Sequence, residues 1–402
     1  MSLAERFISP RIDKEMSGRD GPPGQRAALL KLAAEIKDVV NLNSGDPDLT
    51  AAPVAVEAAV EAFRGGKTHY SHGGVPSLRA AIAQKHGREN GFTVDPDTQV
   101  IITNGSAEAA TIVFQTILEP GDEVLTTDPY YGGHVNNIVA ARGRPVFVPT
   151  RGDDLWEPDP AEVEKRITPR TRAFIFANPG NPTAAVYRKE TLQAFLDIAH
   201  RHNILMLPDE LFERYVYDGR THVSMASLPG SEERVVTIHG FSKSYCMTGW
   251  RLGWVAAPKW LAPALHKMKY ALTMTSSTPN QWGAVAALSD AAKPYYDEVY
   301  RTYGERRAFW YDAWTKMGLP QKPAPAAFVG MIDIRRTGRP AYEVSEAILK
   351  EARGFIWPGT FFGSLGEGYL RVGLIKPMDV LQDLGRRIGP VVGKMLGAAR
   401  TA

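Results

Sequence analysis

Between about residues 98 and 260 the chain alternates short apolar runs with stretches of helical periodicity. Apolar runs of strand length fall at 100–103, 123–127, 144–149, 172–177, 204–207, 235–238 and 252–257. Helical spacing of apolar residues marks 107–118, the stretch after Tyr131, and 189–202. The run 172–177 (RAFIFA) is continuously apolar rather than alternating, the mark of a strand buried on both faces. Buried strands separated by helices predict an α/β fold with a large, mostly parallel, seven-stranded-type sheet flanked by helices. After about residue 285 the character changes. A helical stretch rich in Tyr and Arg (294–317) leads into a Pro-rich loop (319–325). Alternating segments at 330–334 and 368–373 and helices at 342–352 and near the C-terminus then predict a smaller α+β domain.

Sheets of this kind bind ligands in the crevice beyond the carboxyl ends of their strands. Polar and aromatic clusters stand at five such ends: Asn104-Gly105-Ser106, Asp128-Pro-Tyr-Tyr131, Asn178 to Asn181, Asp209-Glu210 and Ser242-Lys243. They predict one composite site.

Composition narrows the partners. The 402 residues are 44% hydrophobic and 23% charged, ordinary for a globular chain and long enough for two domains. Basic and acidic side chains number 47 and 44, and no basic block suggests a nucleic-acid arm; residues 18–26 read as a mixed loop. A single cysteine, Cys246, excludes an intramolecular disulfide framework and a Cys-based zinc site, so a cytoplasmic protein is expected. No apolar run approaches the ~20 residues that span a bilayer, and the N-terminus is too charged for a secretory leader. The glycosylation tripeptide Asn104-Gly105-Ser106 is read as accidental. There is no Walker A loop, Gly-x-Ser-x-Gly elbow or His-Glu-x-x-His. His69 with His72, and His200 with His202, show no carboxylate partners in the sequence, so no metal is expected.

Lys243 stands just after an apolar run, in His239-Gly-Phe-Ser-Lys-Ser-Tyr-Cys-Met-Thr-Gly-Trp-Arg-Leu-Gly253. A lysine among apolar and small residues is desolvated and its pKa falls, as imine chemistry requires. Arg251, eight residues on, offers a planar fork that suits a phosphate. Taken alone such a pair reads as surface charge; the surrounding string resembles the cofactor-lysine motif of class I/II aminotransferases. The resemblance is to the pyridoxal-phosphate enzymes of fold type I, the aspartate aminotransferase superfamily. It covers nearly the whole chain, because further motifs follow in the family's order.

The resemblance implies pyridoxal 5'-phosphate bound as a Schiff base on Lys243, with Ser242 beside it. Asn178-Pro-Gly-Asn-Pro-Thr183 resembles the loop whose second Asn, here Asn181, bonds the cofactor's phenolic oxygen; read alone it is a turn. Pro208-Asp-Glu210 resembles the strand end that brings an aspartate, Asp209, to the pyridine nitrogen. A carboxylate there keeps the ring protonated, which makes it an electron sink. Thr103-Asn-Gly-Ser-Ala-Glu108 opens a helix, so its free amides suit an anion, and Ser106 and Ala107 match the family's phosphate contacts. Tyr131 matches the aromatic residue that stacks on the pyridine. Arg371 in Gly368-Tyr-Leu-Arg-Val-Gly373 matches the arginine that clamps the substrate α-carboxylate, and Gly45 a backbone contact to the same group. Tyr70 matches a tyrosine that reaches the phosphate of the neighbouring subunit, which implies a homodimer with shared sites.

On this resemblance the chain divides into 1–45 (N-terminal arm and part of the small domain), 46–285 (large cofactor domain) and 286–402 (small domain). The expected reaction is ping-pong transamination between an amino acid and a 2-oxo acid, in amino acid metabolism. A lyase, decarboxylase or oxidase on the same scaffold is the alternative. A non-catalytic regulator fits less well, because about 45 residues ahead of Gly45 are too few for a DNA-binding module. Four departures from the family pattern stand out: Gly240 for a Ser of some members, Cys246 for a small residue, Ala184 for Gly, and Phe212 for Tyr. The last removes one hydrogen bond to the cofactor, on the order of 1 kcal/mol. Some aspartate-specific relatives carry a lysine where Ala107 stands, which argues against that substrate.

Overall fold

The computed structural model describes residues 3–9, 11–12, 22 and 24–401. Part of the expected N-terminal arm, and most of the loop read at 18–26, lie outside the described residues. Seven strands form the large sheet, in spatial order Val100–Thr103, Gly253–Ala256, Thr237–Gly240, Leu205–Asp209, Thr171–Ala177, Glu123–Asp128, Arg144–Pro149. Every neighbouring pair is parallel except those made by Gly253–Ala256, which runs antiparallel to both its partners. The α/β architecture read from the sequence is therefore the one observed.

The apolar runs are continuous because each strand feeds two cores. Ala173 and Ile175 enter the larger hydrophobic cluster with Leu205 and Leu207. Phe174 and Phe176, one residue out of phase, enter a second cluster with Met206 on the opposite face. Register then lines up the strand ends: Ala177 pairs with Asp209, and Asp209 with Ile238. One strand departs from expectation. Residues 235–238 are apolar, yet the strand is Thr237–Gly240, and Val235 makes only an isolated bridge to Met206. The ladder continues through His239 and Gly240, which pair with Trp254 and Gly253, so cross-strand pairing overrides local hydrophobicity there.

Beyond the large sheet, Trp357–Pro358, Tyr369–Gly373 and Val329–Asp333 form an antiparallel three-stranded sheet. Val40–Asn41 pairs parallel with Gly354–Phe355, so an early segment joins a late one. The following strap is tied in as well, since Gly373 N donates to Leu42 O at 2.7 Å. This carries residues 43–46 across the carboxyl ends of the large sheet. The helix expected at 342–352 is Ala341–Ala347 followed by a wider turn of π type at Ile348–Ala352.

Candidate active site

A cavity of about 320 Å³ opens where the strap crosses the strand ends. Its walls include Gly45, Ser106, Ala107, Tyr131, Asn181, Asp209, Ser242, Lys243, Arg251 and Arg371. Ten of the eleven residues singled out from the sequence thus meet in one place. Tyr70 does not. It is 68% exposed, beside His72, and is not part of the cavity wall of its own chain.

Lys243 follows the Thr237–Gly240 strand in a turn pinned from two sides: Tyr215 Oη donates to Lys243 O at 2.9 Å, and Ser244 Oγ to Leu211 O at 2.8 Å. Its Nζ donates to Gly45 O at 2.6 Å. Burial pushes the amine down to about 8; the Asp46 and Asp209 carboxylates oppose that fall, and Arg371 and Arg251 add to it. This raises the neutral fraction at pH 7 from a trace to about a tenth, in the direction that a nucleophilic amine requires.

Asp209 ends its strand 7% exposed, and His134 Nε2 meets its Oδ2 at 2.9 Å. The imidazole also stands edge-on to the Tyr131 ring, with centroids 5.1 Å apart. At the other end of the cavity Gly105 adopts φ +87° and starts the Ser106–Ile117 helix, whose first amides have no carbonyl one turn back. Arg251 leans over this turn, its Nη1 on Thr248 O at 2.9 Å and Nη2 on Asn104 O at 3.3 Å. A Cβ at Gly105 would lie 2.6 Å from Arg251 Nη2, so only glycine allows that approach. Gly240 faces the same turn with a little room, its hypothetical Cβ 3.8 Å from Ser106 Cβ.

Arg371 is 4% exposed, donates from Nη1 to Asn43 O at 2.9 Å, and leaves Nε without a partner. Burial lowers its pKa to about 10, and it stays charged at neutral pH. A Cβ at Gly45 would lie 3.0 Å from Arg371 Nη2. Asn181 Oδ1 is likewise buried and unpartnered.

The structure adds residues that sequence reasoning missed. His134 sits three residues after Tyr131, and a histidine in the first turn of a helix with no other titratable residue was the available signal. Asp46 and Thr248 line the cavity and are joined by a 2.7 Å hydrogen bond from Thr248 Oγ1; Thr248 lies inside the lysine motif and Asp46 follows Gly45. The departures have physical settings. Ala184 and Cys246 hold φ of +58° and +53°, conformations that suit glycine, at about 1–2 kcal/mol each for a residue with a Cβ. Phe212 lines the cavity and packs on Phe328 at 5.2 Å. Contrary to the sequence reading, His202 does meet a carboxylate, Glu164, at 2.8 Å; Arg201 shares it, which makes a surface ion pair.

The donor set fits the cofactor implied by the resemblance. It offers an amine of lowered pKa, an anion opposite it, a glycine turn under an arginine for a phosphate, and two buried polar atoms still unpartnered.

Comparison with known proteins points the same way. The family model for aminotransferase class I and II matches residues 37–388. The chain is 36% identical over 372 residues to an aromatic-amino-acid aminotransferase of Thermococcus litoralis, covering 92% of this chain and 96% of that one. It is also 36% identical to an arginine–pyruvate transaminase of Pseudomonas aeruginosa, covering 90% and 92%. The solved structure of the Thermus thermophilus aspartate aminotransferase with maleate superposes with a TM-score of 0.86 at 32% identity, covering 96% and 99%.

Proposed function

The chain belongs to the aminotransferase class I and II family and is a pyridoxal-phosphate-dependent transaminase, and from that premise we propose that its chemistry is carried out in the cavity around Lys243. The observation that carries this reading is the meeting of Lys243, Asp209, Arg251 and Arg371 in one cavity, with the lysine amine brought down to about 8.

When bound, pyridoxal phosphate supplies an electron sink for the charge that develops at the substrate Cα. Lys243 Nζ is the anchor for the cofactor carbonyl. With the cofactor bound and a substrate amine in place of the lysine, the Lys243 amine would be the group placed to take the Cα proton as general base and return it as general acid. Asp209 places a negative charge against the ring nitrogen, and His134 holds that carboxylate in orientation. Tyr131 offers a ring face, and Asn181 an amide for the phenolic oxygen. Arg251 and the amides of Ser106 and Ala107 take the phosphate, with Ser242 beside them. Arg371 and the Gly45 backbone grip the substrate α-carboxylate and fix which Cα bond faces Lys243. The net reaction moves the amino group from one amino acid, which leaves as its 2-oxo acid, to a second 2-oxo acid, which leaves as an amino acid.

The same reading divides the chain into the arm and small-domain segment 1–45, the cofactor domain 46–285 and the small domain 286–402. The pairing of Val40–Asn41 with Gly354–Phe355 supports it. It makes the protein a homodimer, Tyr70 serving the neighbour's phosphate, which accords with the exposure of that ring in the single chain. It places the enzyme in the cytoplasm, in amino acid metabolism, in keeping with a lone cysteine. Ala107, in place of a cation, favours substrates other than aspartate.

The test is the visible spectrum of the purified protein through one cycle. A yellow band that bleaches with a mixture of amino acids and returns with a 2-oxo acid supports both half-reactions. Bleaching without return, with release of ammonia or carbon dioxide, moves the chemistry to a lyase or decarboxylase.

A further inference from the structure

Glu108 stands in the first turn of the Ser106–Ile117 helix, and four donors converge on its carboxylate. Asn104 N donates to Oε2 at 2.5 Å and Asn104 Nδ2 to Oε1 at 3.3 Å. Lys269 Nζ donates to Oε2 at 2.8 Å, and Thr273 Oγ1 to Oε1 at 2.6 Å. Lys269 also donates to Thr273 Oγ1 at 2.6 Å, which closes a triangle. Lys269 and Thr273 belong to a different helix, Ala262–Thr273, so the carboxylate ties the turn Asn104-Gly105-Ser106 to a second rigid element. The side chains of Glu108 and Lys269 are only 11% and 7% exposed.

The chemistry of this arrangement is specific. A carboxylate directly after the anion-binding residues Ser106 and Ala107 repels the anion, so at this position it weakens binding unless it is neutralised or does something else. Lys269 neutralises it. What the carboxylate then does is occupy the Asn104 amide and side chain. That leaves the first-turn amides of Ser106 and Ala107, both residues of the cavity wall, without intrahelical partners, and it fixes Asn104 O, on which Arg251 Nη2 rests. Burial alone would raise the Glu108 pKa, but the bonds from Lys269, Thr273 and Asn104 outweigh it and hold it below the ordinary carboxylate value.

We propose that Glu108, with Lys269 and Thr273, is a positioning group that pre-organises the phosphate-binding turn, and that it selects the phosphorylated cofactor over its unphosphorylated form. The proposal rests on the assignment of Ser106, Ala107 and Arg251 to the phosphate. Preorganised donors bind an anion without a reorganisation cost, so loosening the turn penalises the phosphate end and spares the Lys243 end.

The experiment compares the affinity of the cofactor-free protein for pyridoxal phosphate and for pyridoxal, read from the visible band, in wild type, Glu108→Gln and Thr273→Val. Wild type should prefer the phosphate form strongly. Glu108→Gln should reduce that preference by about tenfold or more, with pyridoxal affinity unchanged, and Thr273→Val by about two- to threefold. An unchanged preference in Glu108→Gln overturns the proposal, and so does an equal loss for both ligands, which marks a merely structural role. Should Glu108→Gln not fold, as judged by its melting curve without cofactor, an unchanged preference in Thr273→Val is the overturning result. Wild type without any preference would instead refute the phosphate assignment on which the proposal stands.

Discussion

At the residue scale the site is an exercise in moving protons to where a carbonyl reaction needs them. Burial lowers the Lys243 amine to about 8, while Asp209 and His134 form a buried pair at 2.9 Å beneath the same cavity. Phe212 is one of the departures from the family pattern that the motifs resemble. Its ring lines the cavity and is 4% exposed, and this position offers no hydroxyl to the site. A hydroxyl bond to the cofactor's charged phenolic oxygen contributes on the order of 1 kcal/mol, which corresponds to about 0.7 of a pH unit. The deprotonated oxygen is the form that the bond favours. The visible band of the loaded wild-type enzyme should therefore titrate at higher pH than that of Phe212→Tyr, by about that amount. Coincident midpoints would show that the missing hydroxyl does not matter. Ten of the cavity residues were legible from short motifs read through the family resemblance, because imine, phosphate and carboxylate chemistry each demand particular residue types at strand ends. His134 was not, since its partner Asp209 lies 75 positions away and no local pattern joins them.

At the element scale, a polar layer is buried beneath the sheet strands that carry Asp209 and Lys243. Lys85, from the Pro76–Lys85 helix, bonds Glu213 Oε1 at 2.6 Å with side-chain exposures of 1% and 6%. Asn90 Nδ2 donates to the other oxygen at 2.7 Å, and His239 stacks on Trp254 with ring planes 6° apart. Burial alone would raise the Glu213 pKa, but Lys85 dominates, with His239 and His222 contributing, and holds it far below the ordinary range. Removing the cation strands a buried charge, so Lys85→Met should cost about 3–5 kcal/mol in denaturant unfolding at neutral pH. The sign with pH follows from the depressed pKa. The pair's stabilisation is complete above the unfolded carboxylate pKa, about 4.3, and is lost as pH falls below it, so the gap between wild type and variant should narrow in acid. A gap that stays constant would deny the pair that role. Periodicity could place the strands but not this layer, because a polar residue inside an apolar run does not announce its partner. The same limit shifted the strand expected at 235–238 to Thr237–Gly240, where pairing with Gly253–Ala256 decides the boundary.

At the scale of the whole molecule, the α/β plan was legible because strands fed by two cores are apolar without alternation, as Ala173 and Phe174 illustrate. The crossing of the chain ends, Val40–Asn41 on Gly354–Phe355, is a non-local pairing that the local pattern does not encode. Assembly lies further still from local pattern. If Tyr70 serves the neighbour's phosphate, a site is built from the Lys243 of one chain and the Tyr70 of the other. Mixing refolded Lys243→Ala and Tyr70→Phe chains should then produce hybrid dimers with one intact site. Such mixtures should recover activity that neither variant has alone, whereas no recovery would place each site within a single chain. The most direct test of the central claim is borohydride reduction of the loaded wild-type enzyme, followed by peptide mapping by mass. One pyridoxyl-phosphate adduct per chain is expected, on the peptide that contains Lys243. An adduct on any other lysine, with Lys243 unmodified, would contradict it.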